Sequence, residues 1–333
     1  MKLRVGLLGG GSWGTTVASL TAQNSPTRMW ARNKTTVKEI NEFHRNEKYL
    51  PGAQLTPSLK ATNSIQKAVE DADVVVMGVP AQSFRHVLKD ARPYIRPWVP
   101  IVSLSKGLEQ GTRMRMTEII ESMMPGHPAG VLTGPNLARE IIAGQAAASV
   151  IAMVDDTIAK ALQKVFRTGL FRVYTNEDVI GCELGGALKN VIAIAAGMGD
   201  GAGAGDNTRA AVITRGLAEL TRLGTAMGGQ PTTFAGLAGM GDLVATCISS
   251  LSRNRHVGFQ LGQGRSLDEI IEEMSMVAEG VKTCGVVLEL ARQHQIQMPI
   301  SEEVYKVVQQ GNTVKDAFRG LLRHKTGSEA DPG

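Results

Sequence analysis

A glycine-rich segment close to the N-terminus constrains the fold more than any other feature of the sequence. The apolar run LRVGLL, residues 3–8, is followed directly by GGGSWGTT, residues 9–16. Gly9, Gly11 and Gly14 have the spacing G-x-G-x-x-G between a predicted strand and a predicted helix. There the first glycine permits a tight turn, the second lets the backbone approach a pyrophosphate, and the third allows close helix–strand packing. The segment predicts a dinucleotide-binding βαβ unit; a glycine-rich turn in an unrelated α/β protein is the alternative.

The end of the second predicted strand indicates which dinucleotide binds. NAD sites carry an acidic residue about 20 positions after the glycines, where it binds the ribose 2′-hydroxyl. Here the segment RMWA is followed by Arg32 and Asn33, and no acidic residue is present. A guanidinium pairs with the 2′-phosphate of NADP(H), whereas a carboxylate repels it. Arg32 therefore predicts a preference for NADP(H), with NAD(H) as a second cofactor. A solvated arginine at a strand end is the alternative.

The order of strand-like and helix-like segments predicts two domains. Up to about residue 180, short β-type runs alternate with helices, which favours a Rossmann-type, doubly wound and mostly parallel sheet. The later strands have shorter connections, so we expect some of them to be antiparallel. We predict a dinucleotide-binding domain over 1–180, an all-α domain over 181–325 and a flexible tail over 326–333. The predicted strands are 3–8, 28–31, 73–79, 99–105, 130–134, 147–154 and 171–175, and helices are predicted over 64–72, 266–274 and 300–311.

A second glycine-rich string, GMGDGAGAGDN, covers residues 197–207. It lacks the GK[ST] ending of a P-loop, so we predict a loop between two helices and not a second nucleotide site. Asp206, Asn207 or Thr208 is expected to be the N-cap of the helix that follows.

Composition narrows the class of protein. The formal net charge is +5 without a dense block of lysine and arginine, which favours an anionic small molecule over nucleic acid. Cys182, Cys247 and Cys284 form no CxxC pair, so we expect a reducing cytosol and no disulfide framework. The histidines form no HExxH or His/Cys cluster, so we expect no metal site. The longest later apolar stretch, 191–199, is shorter than a membrane span, so we expect a cytoplasmic protein without a membrane partner.

Several motifs, in order along nearly the whole chain, resemble the bacterial NAD(P)-dependent glycerol-3-phosphate dehydrogenases. They are GGGSWGT, SLSKGLE, GPNLAREI, ELGGALKNVIAIAAGMGDG, GDNTRAA, AGMGDLVATC, SRNRHVG, VAEGV and MPISEEVY. The resemblance implies a dinucleotide-binding domain followed by a helical domain. It implies reduction of dihydroxyacetone phosphate to sn-glycerol 3-phosphate, which feeds phospholipid synthesis, and a homodimeric protein.

Lys189 is the general acid/base that this resemblance implies. It lies in the apolar stretch GGALKNVIAIAAG, where burial lowers the pKa of a lysine toward the range that suits proton transfer. A lysine that extends from an apolar helix to solvent is the alternative. Asn190 and Thr246 are expected to position the reacting group. Asp242 is expected to hold a substrate hydroxyl and Lys189, and the role of helix N-cap is compatible with this.

The segment SRNR suits a phosphate, because a guanidinium, a hydroxyl and an amide together supply its hydrogen-bond donors. The resemblance assigns Ser252, Arg253 and Asn254 to the substrate phosphate; an exposed helix start is the alternative. It also implies substrate contacts for Lys106, Gly134 and Asn136, the last at a position where the family more often has serine. The implied cofactor contacts are Gly9, Gly11, Ser12, Trp13, Gly14, Arg32, Lys106, Ala138, Arg253, Val277 and Glu279.

Two other functions stay open. A different reductase of the same two-domain build, such as a hydroxy-acid dehydrogenase or a ketopantoate reductase, would not need the Ser-Arg-Asn set. A non-catalytic NADP(H) sensor would bind the cofactor without turnover.

Overall fold

The computed structural model describes residues 2–274 and 278–323. The chain divides into two compact units: unit 1 is Met1–Lys106 with Met114–Val179, and unit 2 is Gly107–Arg113 with Ile180–Gly333. The sequence prediction placed residues 107–113 in the first domain, and this is wrong. Leu108 is buried in the apolar core of unit 2, and Gln110 donates a hydrogen bond to the carbonyl of Lys282. The predicted flexible tail, 326–333, lies outside the described residues.

Unit 1 is built on an eight-stranded sheet in the order β3-β2-β1-β4-β5-β6-β7-β8. Neighbouring strands are parallel except β6 and β7, so the expected mostly parallel sheet with an antiparallel pair is confirmed. The strands are β1 (Val5–Leu8), β2 (Thr27–Trp30), β3 (Lys60–Thr62), β4 (Val74–Met77), β5 (Ile101–Ser103), β6 (Ala129–Thr133), β7 (Ala147–Met153) and β8 (Phe171–Asn176). Its helices are α1 (Ser12–Asn24), α2 (Lys34–Lys38), α3 (Ile65–Val69), α4 (Ala81–Ala91), α5 (Met116–Met123), α6 (Ala138–Ile142) and α7 (Asp156–Phe166).

Strands β1 and β4 lie inside the sheet, and every residue in them is buried. Such continuous apolar runs are typical of parallel strands that are covered on both faces. Every strand that the sequence predicts is present in the sheet. Strand β3, in contrast, was not predicted. This edge strand has three residues, KAT, of which one is buried, and so short a polar run carries no β pattern. It is defined by parallel pairing with β2, in which Met29 faces Ala61.

Unit 2 is helical throughout its described part. Its helices are α8 (Val179–Gly201), α9 (Asp206–Ala226), α10 (Pro231–Phe234), α11 (Asp242–Ile248), α12 (Arg253–Gly262), α13 (Leu267–Glu273), α14 (Glu279–Gln293), α15 (Pro299–Gln310) and α16 (Val314–Arg323). The predicted helices over 266–274 and 300–311 correspond to α13 and α15. The Rossmann-type α/β fold with a second, all-α part is therefore confirmed.

Helix α8 is longer and more apolar than the sequence pattern suggested. It has 23 residues, and its most apolar window has a mean hydropathy of 1.5, which satisfies the length and composition of a membrane span. However, 89% of that window is buried within the protein. Helix α8 is accordingly a core helix of unit 2, and α9, α11 and α12 contact it.

The predicted loop over 197–207 is wrong in its first half, because α8 continues to Gly201. A Cβ atom on Gly197 would lie 2.1 Å from the carbonyl oxygen of Arg255, and one on Gly201 would lie 2.1 Å from that of Phe259. These glycines therefore serve close helix packing and not a turn. The predicted N-cap is also wrong: α9 begins at Asp206, its N-cap is Gly205, and no side chain caps it.

Candidate active site

The glycine-rich turn of unit 1 joins β1 to α1, and its three glycines have different surroundings. Gly9 has a φ of +134°, and a Cβ atom there would lie 2.2 Å from the carbonyl oxygen of Gly78. A Cβ atom on Gly14 would lie 2.3 Å from the carbonyl oxygen of Gly9. Around Gly11, in contrast, no described atom other than those of Gly11 and its two chain neighbours lies within 4 Å of the Cβ position. Two glycines thus close the turn, and the third leaves room for a ligand.

The N-terminus of α1 has the properties of an anion site. Its N-cap is Gly11, and no side chain accepts a hydrogen bond from the first turn at this cap. Ser12 and Trp13 begin the helix, and the indole Nε1 of Trp13 is buried without a hydrogen-bond partner in the described part of the chain. Helix N-termini bind phosphate groups through such N–H donors and the positive end of the helix dipole. The residues present therefore fit a dinucleotide.

Arg32 lies just beyond β2, at the same edge of the sheet as the glycine-rich turn. The amide of Gly9 donates a hydrogen bond to the carbonyl of Trp30, the last residue of β2, at 3.1 Å. Asn33 is the N-cap of α2 and accepts a hydrogen bond from the amide of Thr35. The side chain of Arg32 is exposed, so a ligand phosphate can reach it.

A second group of predicted residues lies where β5 and β6 end. The ammonium group of Lys106 donates a hydrogen bond to the carbonyl of Gly134 at 2.7 Å. The amide of Asn136 donates to Ser149 Oγ at 3.1 Å, while its own Oδ1 is buried without a hydrogen-bond partner among the described residues. Ala138 is the first residue of α6, and its carbonyl accepts a long hydrogen bond from Thr16 of α1. These contacts bring Lys106, Gly134, Asn136 and Ala138 to one edge of the sheet.

The centre of unit 2 is a buried ion pair between α8 and α11. Lys189 Nζ lies 2.6 Å from Asp242 Oδ1, and the two side chains are 5% and 2% exposed. The same ammonium group donates to the hydroxyl of Thr246, one turn further along α11. A π-helical turn over Leu237–Gly241 precedes Asp242, so Asp242 lies in the first turn of α11 and its N-cap is Gly241. Lys189 is therefore not an exposed lysine on an apolar helix.

Two asparagines connect this centre to the start of α12. The amide of Asn254 donates to Asn190 Oδ1 at 2.9 Å, and Asn254 Oδ1 accepts from the backbone amide of Gly280 at 2.9 Å. A Cβ atom on Gly280 would lie 2.7 Å from the carbonyl oxygen of Asn190. The starts of α12 and α14 are thereby held against α8 at Asn190, the residue that follows Lys189.

The predicted phosphate residues occupy the N-terminus of α12. Ser252 is its N-cap, and Ser252 Oγ accepts a hydrogen bond from the amide of Arg255. Arg253 keeps a solvent-exposed face, yet partial burial of the guanidinium lowers its pKa, while Glu279 acts in the opposite direction. The predicted cofactor contact Val277 lies outside the described residues. Hydroxyl, guanidinium and helix N-terminus together form a donor set for a phosphate.

The cysteines take no part in this chemistry. Cys182, Cys247 and Cys284 are buried, and none of the three is in a disulfide bond. Burial raises the pKa of Cys247 to about 12 and that of Cys284 to about 11, so both are protonated thiols at neutral pH. Among the described residues, no group of three or more His, Cys, Asp or Glu side chains is arranged to hold a metal ion.

Some residues that shape the site carried no sequence signal. Asn46 is fully buried, and its amide donates to the carbonyl of Gly10 at 3.1 Å and to Thr15 Oγ1 at 2.9 Å, so it fixes the glycine-rich turn. It comes from the irregular segment FHRNEKYLPG, where no periodicity marks it. Ser149 connects Asn136 to the carbonyl of Thr133 from the middle of an apolar strand.

Comparison with known proteins agrees with this arrangement. Residues 4–159 match the family profile of the NAD-dependent glycerol-3-phosphate dehydrogenase N-terminus, and residues 178–319 match that of the C-terminus. This chain belongs to the NAD-dependent glycerol-3-phosphate dehydrogenase family.

Individual relatives cover the whole chain. A glycerol-3-phosphate dehydrogenase [NAD(P)+] of Sphingopyxis alaskensis is 63% identical over 100% of both chains. A relative of that name from Mycobacterium tuberculosis is 57% identical over 98% of this chain and 96% of its own. The crystal structure of glycerol-3-phosphate dehydrogenase from Coxiella burnetii has a TM-score of 0.92 at 35% identity, over 97% of this chain and 99% of that one.

Proposed function

We propose that this protein reduces dihydroxyacetone phosphate to sn-glycerol 3-phosphate with NADPH, and with NADH as a poorer donor. The observation that carries the proposal is the buried Lys189–Asp242 pair, connected through Asn190 and Asn254 to a phosphate-type donor set. Membership of the glycerol-3-phosphate dehydrogenase family supports the choice of substrate. The relatives' names, which include NAD(P)+, support the choice of cofactor.

Lys189 is the general acid of the reduction. Its Nζ–H donates a proton to the carbonyl oxygen as the carbonyl carbon is reduced, and it accepts that proton in the reverse direction. Bound NADPH supplies the hydride. Asp242 and Thr246 orient the ammonium group, because both accept hydrogen bonds from Nζ and leave its remaining N–H for the substrate oxygen. Asp242 also binds the substrate hydroxyl.

The substrate phosphate binds at the N-terminus of α12. Ser252, Arg253 and Asn254 supply a hydroxyl, a guanidinium and an amide, and the helix N-terminus adds its positive dipole end. Lys106, Gly134 and Asn136 are further substrate contacts.

The cofactor binds along the glycine-rich turn of unit 1. Gly11, Ser12 and Trp13 at the start of α1 receive the pyrophosphate, with Gly9 and Gly14 closing the turn. Arg32 pairs with the 2′-phosphate. The further cofactor contacts are Lys106, Ala138, Arg253, Val277 and Glu279.

The cellular location, oligomeric state and metabolic role that we propose rest on the same family membership. We place it in the cytoplasm as a homodimer that supplies glycerol 3-phosphate to phospholipid synthesis. Sedimentation of the purified protein tests the dimer: a dimer mass supports it, and a monomer mass at working concentration contradicts it.

The decisive experiment follows NADPH oxidation by the purified protein with dihydroxyacetone phosphate, and identifies the product. Unphosphorylated dihydroxyacetone and ketopantoate are the matched controls. Turnover that requires the phosphate, with glycerol 3-phosphate as product, supports the proposal. Equal turnover of the unphosphorylated ketone would favour a different reductase, and NADPH binding without turnover of any ketone would favour a sensor.

A further inference from the structure

A second buried charge cluster lies at the end of α8, away from the Lys189–Asp242 pair. Asp200 Oδ1 accepts hydrogen bonds from Arg209 Nε at 2.8 Å and Nη2 at 2.7 Å, and Asp200 Oδ2 accepts from Arg255 Nε at 2.8 Å and Nη2 at 2.7 Å. The Asp200 side chain is 5% exposed. Each carboxylate oxygen is thus held by one guanidinium, and the cluster joins α8, α9 and α12.

The contact between α8 and α12 explains why an anchor is needed there. Glycines line it on both helices: Gly197 and Gly201 on α8 face the backbone of α12, and Gly258 and Gly262 face the backbone of α8. A Cβ atom on Gly258 would lie 2.0 Å from the carbonyl oxygen of Ile194. Interlocking side-chain ridges normally fix the register of two packed helices. Glycines provide no such ridges, although Val257 and Leu261 of α12 share an apolar core with Ile194 of α8. Polar contacts add directional constraints on the position of α12 along α8.

Two polar contacts set that register from adjacent residues of α12. Asn254 contacts Asn190, and Arg255 contacts Asp200. On α8 these two partners lie about 15 Å apart along the helix axis. The backbone amide of Arg255 also donates to Ser252 Oγ. A shift of Arg255 would therefore move the hydroxyl and the amide that face the phosphate.

We infer that Asp200 and Arg255 are positioning residues for the substrate phosphate. Asp200 holds the guanidinium of Arg255 against α8, and Arg255 in turn fixes the first turn of α12 with Ser252, Arg253 and Asn254. Of the two arginines in SRNR, Arg253 binds the phosphate and Arg255 orients the helix. The glycine string 197–207 thereby gains a function through Asp200, which anchors the phosphate site. This inference rests on the proposed function.

The test is Asp200→Asn in the full-length enzyme, which retains the shape of the side chain and removes its charge. The KM for dihydroxyacetone phosphate is expected to rise roughly tenfold or more, because small misplacements of binding groups are costly. The inhibition constant of inorganic phosphate, a probe that needs no chemistry, should rise in parallel. The KM for NADPH is expected to rise by less than the KM for dihydroxyacetone phosphate, because only Arg253 among the proposed cofactor contacts lies in the first turn of α12.

Arg209→Gln is the matched control, because it removes the other guanidinium from the same carboxylate but lies on α9. It should lower the melting temperature while changing the KM for dihydroxyacetone phosphate less than about twofold. Arg255→Gln should reproduce the KM increase of Asp200→Asn, and Arg255→Lys should recover part of it.

Several results would overturn the inference. One is an unchanged KM and phosphate inhibition constant in both Asp200→Asn and Arg255→Gln. Another is an equal rise in KM in Arg209→Gln and Arg255→Gln, which would indicate a general effect on stability. If Asp200→Asn does not fold, the comparison of Arg255→Gln, Arg255→Lys and Arg209→Gln decides alone. An inactive wild-type enzyme would instead contradict the proposed function.

Discussion

The candidate sites of the two units are built by opposite means. In unit 1 the turn after β1 is shaped by backbone: two glycines are crowded by carbonyl oxygens, one faces open space, and the helix N-terminus supplies the donors. In unit 2 the centre is made of side chains, with Lys189, Asp242 and Thr246 buried and in contact. The turn in unit 1 depends on glycines, which have no side chain to fill the space. The centre of unit 2 depends on charged groups, whose burial costs free energy unless they are paired.

The difference determines how each unit responds to substitution. A backbone site tolerates most changes except those that add a Cβ atom where there is no space. A buried charge pair fails when either partner is removed, because the remaining charge loses its compensation. Four experiments test or refine this contrast, beginning with the largest expected effect.

Replacing Lys189 by alanine should have the largest effect. Loss of the proton donor is expected to lower kcat about 10³-fold or more, while NADPH affinity, measured by fluorescence titration, stays unchanged. The unpaired Asp242 should also lower stability by about 3 kcal/mol, so rates must be normalised to folded protein. Turnover at the wild-type rate would show that Lys189 takes no part in the reaction. The contrast between a backbone site in unit 1 and a side-chain site in unit 2 would then fail.

Glu219 is a buried carboxylate of unit 2 outside the Lys189–Asp242 pair. It tests whether the charge of such a group also controls the stability of the protein. It accepts hydrogen bonds from the amides of Ile300 and Ser301 at the start of α15, and burial raises its pKa to about 7, although Arg222 acts against this. The folded protein then keeps a proton that the unfolded chain loses near pH 4.5. The stabilisation is therefore complete below that pH and is lost as the pH rises toward 7.

The matching variant is Glu219→Gln, which cannot titrate. Between pH 4.5 and 7 the wild-type free energy of unfolding should fall relative to that of the variant by up to about 3 kcal/mol. Urea denaturation at a series of pH values measures this. Parallel pH profiles of the two proteins would show that Glu219 does not titrate in this range.

Two glycine variants separate the functions of the turn in unit 1. Gly14→Ala places a Cβ atom against the carbonyl of Gly9 and should lower both the melting temperature and NADPH affinity. Gly11→Ala has space in the protein and an ordinary φ of −76°, so it should lower NADPH affinity by roughly tenfold without destabilisation. If Gly11→Ala binds NADPH normally, the backbone at that position does not face the pyrophosphate.

Arg32 is the exception within unit 1, since it contributes by a side chain that is exposed. Arg32→Ala should weaken NADPH binding roughly 10- to 100-fold, the value of one charge-assisted hydrogen bond, and leave NADH binding nearly unchanged. Comparison of KM for both cofactors measures the preference. Equal losses for the two cofactors would contradict a contact between Arg32 and the 2′-phosphate.

The two units also differ in what their sequences disclosed. The turn after β1 could be predicted because its function depends on glycine spacing, which is local. Lys189, Asp242 and the SRNR segment were assigned by resemblance to a family, since no local rule brings residues of α8, α11 and α12 together. Asn46 and Asp200 were not predicted from the sequence, because the residues that they contact are distant along the chain. The same reason hid β3, which is defined by pairing, and the true end of α8, whose glycines pack against another helix.

The assignment of Gly107–Arg113 to unit 2 has a consequence for dissecting the protein. The chain leaves the α/β unit after Lys106, contributes a short excursion to the helical unit, and returns at Met114 before it leaves again at Val179. A fragment that begins at residue 180 would lack Leu108 from its apolar core and the ion pair between Arg113 and Glu289. Separate expression of the helical half therefore requires these seven residues to be supplied, for instance by circular permutation.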